Sequence, residues 1–548
     1  MPRAADLLVD CLSAHGFDRL FCVPGESYLA LLDALVDRGV DVVVCRHEGG
    51  AGLMALADAK LARKPGLVAV SRGPGATNLS IALHSAEQDA VPLVALIGQV
   101  ATWERHRGAF QEVDYTAFLG PLCKYVEEVS DPARLPEALA RAVHAAQTGT
   151  PGPVALALPE DMLEMATDAP VVRPLPIPRA APAEADVARA ADLLARAERP
   201  LLIAGSSLDA PEARAALARA AEAHRLPVAL TFKQQHLFDN ENPLYAGHLG
   251  FKIPAPQVQA LAEADLILAV GTRLGDTPTQ GWQLPKTDPD QPVVHVHADP
   301  AVIGRVIRAE LGVAADPAAF LAALAERNLP VPEARAAWAA RLNERAAALR
   351  HPTPKPRPDG LDFGHVIKAL AARAPHDAIV SMDAGNFSGW IHANWPWDGA
   401  QQAVGAVGGA MGGGVPGAVA ASLRFPERRA IGVSGDGGAL MTGSELSTAV
   451  AAGAKPIIVI SDNGTYGTIR LHQEKAFPNR VSGTALKNPD FAAWGASFGA
   501  LGLAASTPEE AEAAAEAAFA HDGPVVIHAK TSAEAISPFA TITQLRGG

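Results

Sequence analysis

Short apolar runs rich in Val, Ile and Leu alternate along almost the whole chain with longer alanine-rich stretches of helical period, and this alternation leaves few folds open. A run that is apolar at every position has no solvent-facing side. It suits a strand covered on both faces, as in a parallel sheet with helices above and below. Such runs are Val42–Cys45, Leu67–Ser71, Leu93–Ile97 and Val154–Leu158, then Leu201–Ala204, Val228–Thr231, Leu266–Val270 and Val293–His297, then Ala378–Met382, Ala430–Val433, Ile457–Ile460 and Val525–His528. Two proline-rich passages, PVVRPLPIPRAAP (170–182) and HPTPKPRP (351–358), separate the three groups. Proline lacks an amide donor and fixes φ, so neither passage can hold a helix or a central strand. The 548 residues are therefore predicted to be α/β, with three doubly wound parallel-sheet domains at 1–169, 183–335 and 359–548.

Charge and cysteine usage narrow the partners. With 46 basic against 59 acidic residues the net charge is −13, and no run of Lys or Arg offers a phosphate-backbone footprint, so nucleic acid is not an expected partner. Cys11, Cys22, Cys45 and Cys123 lack CxxC or metal-ligand spacing, which points to a reduced, cytoplasmic setting. The N-terminus shows no secretory signal pattern. No charge occurs between Asp398 and Arg424, long enough in principle to cross a bilayer. Its many glycines and Pro416 argue instead for backbone that something approaches closely, with no membrane partner.

In open α/β sheets ligands bind beyond the carboxyl ends of the strands, so residues just after each run are the first candidates. Gly435-Asp436-Gly437-Gly438 follows one run and Asp462-Asn463-Gly464-Thr465-Tyr466-Gly467 follows the next. Residues 438–461 between them suffice for one helix and one returning strand, so Asp436 and Asn463 are expected side by side at one sheet edge. A carboxylate and an amide oxygen among bare glycine backbone suit a hard divalent cation that also holds a diphosphate. The plainer reading of GDGG alone is a tight turn. In the first block, Arg46-His47-Glu48 follows a strand, and an Arg46–Glu48 ion pair is the plain reading there.

Together these motifs resemble the thiamine-diphosphate-dependent enzymes, whose signature is GDG followed some two dozen residues later by Asn-Asn; here Asp462 stands in for the first Asn. The resemblance implies Mg2+ held by Asp436, Asn463 and the Thr465 carbonyl, with thiamine diphosphate also contacted by Gly435, Gly437, Gly438, Tyr466, Gly467 and Asn386. Glu48 matches the family's glutamate at N1′ of the aminopyrimidine, which favours the tautomer that removes the thiazolium C2 proton to give the ylide. VPG (Pro24, Gly25), GPGATN (Gly75, Thr77, Asn78), AFQE (Phe110, Gln111) and GAMGGGVP (Gly409, Ala410, Met411) are similar to segments of the acetolactate-synthase-like branch. By resemblance Phe110 and Gln111 line the reaction chamber, and Met411 props the cofactor into its reactive shape.

The same resemblance implies decarboxylation of a small 2-oxo acid and carboligation, by a homodimer at minimum and usually a homotetramer. It also implies FAD or an ADP-like nucleotide in the central domain, near Gly205–Ser207 and Asp299, although the sequence does not decide for FAD. Lys124 resembles that branch's lysine near the substrate channel. Departures fall on substrate selection: Glu26 in the VPG loop, Thr277 in place of an arginine, and His472 in place of a tryptophan. An anchoring charge-assisted hydrogen bond of about 1.5–3 kcal/mol is missing at Thr277. Alternatives are therefore a 2-hydroxyacyl-CoA or oxalyl-CoA-type lyase acting on an acyl-CoA or aldehyde, a decarboxylase of larger 2-oxo acids, and a non-catalytic cofactor-binding paralogue. A Rossmann dehydrogenase is disfavoured, because no GxGxxG follows a first strand.

Overall fold

The computed structural model describes every residue except Asp37, Lys252 and Gly548, and each group of apolar runs forms one six-stranded sheet. The first contains β1 (Arg19–Cys22), β2 (Asp41–Val44), β3 (Gly66–Val70), β4 (Leu93–Gln99), β5 (Tyr125–Glu128) and β6 (Pro153–Pro159), all parallel, in the order β2-β1-β3-β4-β6-β5. The second contains β7 (Pro200–Ala204), β8 (Val228–Thr231), β9 (Tyr245–Leu249), β10 (Leu266–Val270), β11 (Val293–His297) and β12 (Leu311–Ala314), again parallel, in the order β12-β11-β10-β7-β8-β9. In the third, β13 (Ile379–Met382), β15 (Ala430–Gly435), β16 (Ile457–Asp462), β18 (Val525–Lys530) and β17 (Leu501–Ala505) pair in parallel, with β14 (Gln402–Val404) beside β13.

Each apolar run of the sequence is a strand, to within a residue or two at the ends. Strands β3, β4, β6 and β7 are buried at every position, as two-sided cover requires. Six further strands carry no such run: β1, β5, β9, β12, β14 and β17, all but β1 at sheet edges.

The chain forms two compact units: Met1–Ile177 with Pro354–Ile391 and Val404–Gly548, and Pro178–Thr353 with His392–Ala403. In the first unit two sheets share one core, in which Phe21, Val68 and Ile97 join Ile379, Ile458 and Val526. At about 1.5–3 kcal/mol for each fully buried Val, Ile, Leu or Phe, this shared core is the main force holding the two sheets together. The helix Glu48–Ala62 runs through it, packed on the helices Pro74–Asp89 and Gly414–Arg424. Gly52 permits the close approach, since a Cβ there would lie 2.6 Å from Leu79 Cδ1. Arg424 closes the end of this packing with two hydrogen bonds to buried Asp58, at 2.6 and 2.7 Å.

The second unit has its own cores on the two faces of its sheet. There the buried Arg335 donates to the carbonyls of Leu194, Ala197 and His224, satisfying acceptors at the C-terminal ends of two helices. Among the described residues no helix is long and apolar enough to cross a membrane. The charge-free stretch resolves into β14, a turn region and the eleven-residue helix Gly414–Arg424.

Candidate active site

Strands β15 and β16 are parallel neighbours, so Asp436 and the 462–467 loop leave the sheet side by side. The Gly464 N–H donates to Asp436 Oδ2 at 2.9 Å, and the Asn488 side-chain amide donates to the same oxygen at 2.8 Å. Asp436 Oδ1 accepts from Gly437 N at 2.9 Å. Burial, aided by the charge of Asp462, raises the Asp436 carboxyl against these hydrogen bonds. A carboxylate held this way, part desolvated and near a second carboxylate, gains by meeting a cation.

Asn463 Oδ1 accepts from the Thr465 N–H at 3.2 Å, and Thr465 Oγ1 donates to the Thr484 carbonyl at 2.9 Å. The Tyr466 N–H donates to the same carbonyl at 2.9 Å, which pins the loop to the 484–486 segment. Gly467 opens the helix Gly467–Ala476. Burial pushes the Asp462 carboxyl up, but hydrogen bonds from His528, Lys530 and Asn488 outweigh it and hold the group well below the usual carboxylate range.

The glycine-rich segment wraps a carboxylate that the sequence reading missed. Asp383, just after β13, accepts from Gly412 N at 2.8 Å and from Ser434 Oγ at 3.0 Å. Gly412 has φ +94°, a conformation that favours glycine, and this turns its N–H onto Asp383. Upstream, Asp89 accepts from Val407 N at 2.6 Å and Lys60 donates to the Gly405 carbonyl at 2.9 Å. Gly409 and Ala410 lie in the turn so anchored, and Met411 is half-buried at its end. Asn386 exchanges hydrogen bonds with Thr468 through its N–H and Oδ1. Its Nδ2 is buried and has no partner among the described residues, and the residue lines a small cleft with Phe387, Trp390, Ser461, Asn463, Thr531 and Ser532.

In the first sheet's half, Glu48 is the first residue of its helix, after His47, whose Nδ1 accepts from Gly49 N at 3.0 Å. Glu48 Oε2 accepts from Asn78 Nδ2 at 2.9 Å, and Gly75 lies alongside. The Arg46–Glu48 pair does not form; Arg46 Nε donates instead to Ser447 Oγ at 3.2 Å. The structure thus brings Glu48, Gly75 and Asn78 together, and separately Asp436, Asn463 and Thr465. Glu48 and Asp436 share no hydrogen-bond partner among the described residues.

The loop carrying Phe110 and Gln111 is tied down by Glu112, which accepts from Arg105 and from the N–H groups of His106, Gly108 and Ala109. Phe110 is 74% exposed in the single chain, and Gln111 adopts φ +64°. Pro24 and Glu26 are exposed, with Gly25 half-buried between them, and Glu26 opens a short 3-10 turn. Lys124 donates to the Thr148 carbonyl at 2.5 Å, and His472 is exposed on the helix Gly467–Ala476. In the second unit the Thr277 N–H donates to Asp276 at 2.8 Å; Gly205 N donates to the Val270 carbonyl, and Asp299 N to His297 Nδ1. Burial lowers His297 to about 4, so that ring is neutral near pH 7.

A second missed residue ties Glu48 to the third sheet. Glu445 is fully buried and accepts from Arg46 N, from His47 N at 3.0 Å and from Thr448 Oγ1 at 2.6 Å. Burial raises its carboxyl above the usual range. Glu445→Ala leaves these donors without an acceptor, and we expect a stability loss of about 3 kcal/mol. A thermal unfolding midpoint equal to that of the native protein would contradict this. No local pattern marks Glu445, because its partners in the first block, Arg46 and His47, lie 399 and 398 positions away in sequence.

Models of thiamine pyrophosphate enzymes match along most of the chain: their N-terminal TPP binding domain at residues 2–118, their central domain at 187–324 and their C-terminal TPP binding domain at 383–529. The chain belongs to the thiamine pyrophosphate (thiamine diphosphate) enzyme family, and within it to the acetolactate-synthase-like branch. It is 35% identical to the acetolactate synthase large subunit of Parasynechococcus marenigrum (strain WH8102) over 91% of this chain and 82% of that protein. Identity to the acetolactate synthase isozyme 2 large subunit of Escherichia coli (strain K12) is 31%, over 96% of this chain and 95% of that one. With the acetolactate synthase of Bacillus subtilis (strain 168) it is 28%, over 96% and 92%.

Proposed function

We propose that this chain is a Mg2+-dependent enzyme that decarboxylates a small 2-oxo acid and joins the remaining fragment to a second carbonyl compound. The observation that carries the reading is the placement of Asp436 against the Asn463–Thr465 loop, with Glu48 held by Asn78 in the same unit. The residues fit the cofactor. Asp436, Asn463 and the Thr465 carbonyl are oxygen donors of the kind a hard cation takes. The buried, unpartnered Asn386 Nδ2 is a donor suited to a diphosphate oxygen.

When bound, thiamine diphosphate supplies a nucleophilic carbon that adds to the substrate carbonyl and stores the electron pair released on loss of CO2. Asp436, Asn463 and Thr465 hold the metal, and Gly435, Gly437, Gly438, Tyr466 and Gly467 shape the turn around the diphosphate. Glu48 holds the proton at its carboxyl toward the aminopyrimidine, and Asn78 orients that carboxyl. Gly25, Pro24, Gly75, Gly409 and Ala410 would supply backbone walls, and Met411 would pack against the cofactor. Phe110 and Gln111 face the substrate and exclude water, while Glu26, Lys124, Thr277 and His472 tune its choice.

Blocks 1–169, 183–335 and 359–548 act as pyrimidine-binding, central and diphosphate-binding domains. Glu48 of one copy serves the Asp436 site of another, which makes a homodimer the smallest active unit and a homotetramer its paired form. The central block takes FAD or an ADP-like group, and visible flavin absorbance of the purified protein distinguishes the two. The enzyme works in the cytoplasm, where its four unpaired cysteines stay reduced.

The test is incubation with pyruvate and a panel of larger 2-oxo acids and acyl-CoAs, with and without thiamine diphosphate, Mg2+ and a chelator. A chelator-sensitive acetohydroxy acid product is expected. Aldehyde and CO2 alone make it a decarboxylase, acyl-CoA cleavage a lyase, and cofactor binding without any turnover a non-catalytic paralogue. Thr277 keeps the lyase and larger-substrate readings in the panel, because an anchoring arginine for a second carboxylate is not supplied at that position.

A further inference from the structure

Asp462 brings a second buried carboxylate to the metal loop; it is 3% exposed and directly precedes Asn463. Two donors serve it and Asp436 together. The Asn488 Nδ2 lies 2.8 Å from Asp436 Oδ2 and 2.8 Å from Asp462 Oδ1, and the Gly464 N–H lies 2.9 and 3.1 Å from the same two oxygens. Carboxylates that share donors at such distances repel each other, and an extra negative charge there also opposes a diphosphate.

The register of the sheet supplies the compensation. Asp462 on β16 is the direct partner of Lys530 on β18, so opposite charges face each other across the strands, and Lys530 Nζ forms an ion pair with Asp462 Oδ2. His528, two residues earlier on the same face of β18, reaches Oδ2 through Nε2 at 2.8 Å. Its Nδ1 lies 3.1 Å from the Phe491 N–H and 3.3 Å from Asp490 Oδ1. With the ring proton on Nε2, His528 donates to Asp462 and its Nδ1 accepts from the Phe491 N–H. The Asp462–Lys530 pair is then neutral overall; Lys530 and His528 hold Oδ2, while Oδ1 shares the Asn488 and Gly464 donors with Asp436.

We propose that Lys530 is a positioning residue for the metal and diphosphate site: with His528 it holds Oδ2 of Asp462 and offsets its charge, so that the two carboxylates can share Asn488 and Gly464 without repelling each other or the diphosphate. The proposal rests on the Mg2+ and thiamine diphosphate reading above and goes beyond it, because it explains how this chain carries an aspartate at that place in the loop.

The test is a cycle of Lys530→Met, Asp462→Asn and the double variant, with Lys530→Arg as the conservative replacement. Two readouts are independent of turnover: the dissociation constant of thiamine diphosphate at saturating Mg2+, followed by intrinsic fluorescence, and the thermal midpoint of the cofactor-free protein. Lys530→Met is expected to weaken cofactor binding by about 10–100-fold and to lower the midpoint. Lys530→Arg and Asp462→Asn should stay near native, and adding Asp462→Asn to Lys530→Met should restore both readouts, since the charge that needed a partner is gone. Equal binding by Lys530→Met and the native protein overturns the proposal, and so does a double variant no better than Lys530→Met. If the native protein itself shows no Mg2+-dependent binding of thiamine diphosphate, the functional reading falls and takes the proposal with it, an outcome the native control identifies separately.

Discussion

Replacing Glu48 by glutamine is expected to lower turnover by about 10²–10⁴-fold, the usual range for loss of a positioned acid or base. Glutamine keeps the size and the hydrogen-bonding reach toward Asn78 but cannot hold a proton at a carboxyl oxygen. Binding of thiamine diphosphate with Mg2+ should therefore stay within a few fold of native, since the proposed function assigns the diphosphate to other residues. The signature is a fall in kcat with little change in cofactor affinity, measured on protein whose thermal midpoint matches the native one. A variant that turns over normally would remove Glu48 from proton transfer. One that fails to bind cofactor would make it a binding group instead.

Asp436→Ala should do the reverse. Removing the carboxylate takes away the proposed oxygen ligand and the acceptor for Gly437, Gly464 and Asn488, so under the proposed reading the loop loses its organiser together with its grip on a cation. Affinity for thiamine diphosphate at millimolar Mg2+ should fall by at least about 100-fold, and activity with it. The fold should survive, because the shared core of the first unit lies elsewhere. Native-like, Mg2+-dependent binding by Asp436→Ala would dismiss it as a ligand.

These two residues stood out in the sequence because each sits just past an apolar run. Their roles came from the resemblance to the thiamine-diphosphate enzymes rather than from the local pattern, which for Glu48 pointed to an ion pair with Arg46. The inner strands were legible for a related reason: β4 and β16 are buried at every position and read as unbroken apolar runs. Most edge strands escaped, though β2 did not, because they are short or mix polar with apolar residues. Tyr125–Glu128 is half-buried throughout and reads YVEE, and Gln402–Val404 is only three residues long. The supporting carboxylates escaped for a different reason. Asp383 grips Gly412, 29 residues away, and Glu445 caps a turn in the first block, so what they do is written only in the packed chain. The aspartate at 462 was visible as a departure, but its partners Lys530 and His528 became apparent only once β16 and β18 were adjacent.

The walls around the helix Glu48–Ala62 also set an order of events during synthesis. One wall, Pro74–Asp89, leaves the ribosome almost immediately, whereas the other, Gly414–Arg424, follows only after the whole second unit has been translated. At bacterial or eukaryotic elongation rates that interval is on the order of tens of seconds. Throughout it the nascent first block presents an apolar helix face with no cover, the condition in which holding chaperones are engaged and premature chain ends aggregate. A ribosomal stall within the second unit would therefore endanger a segment already finished, because the first block stays incomplete until the third has folded against it.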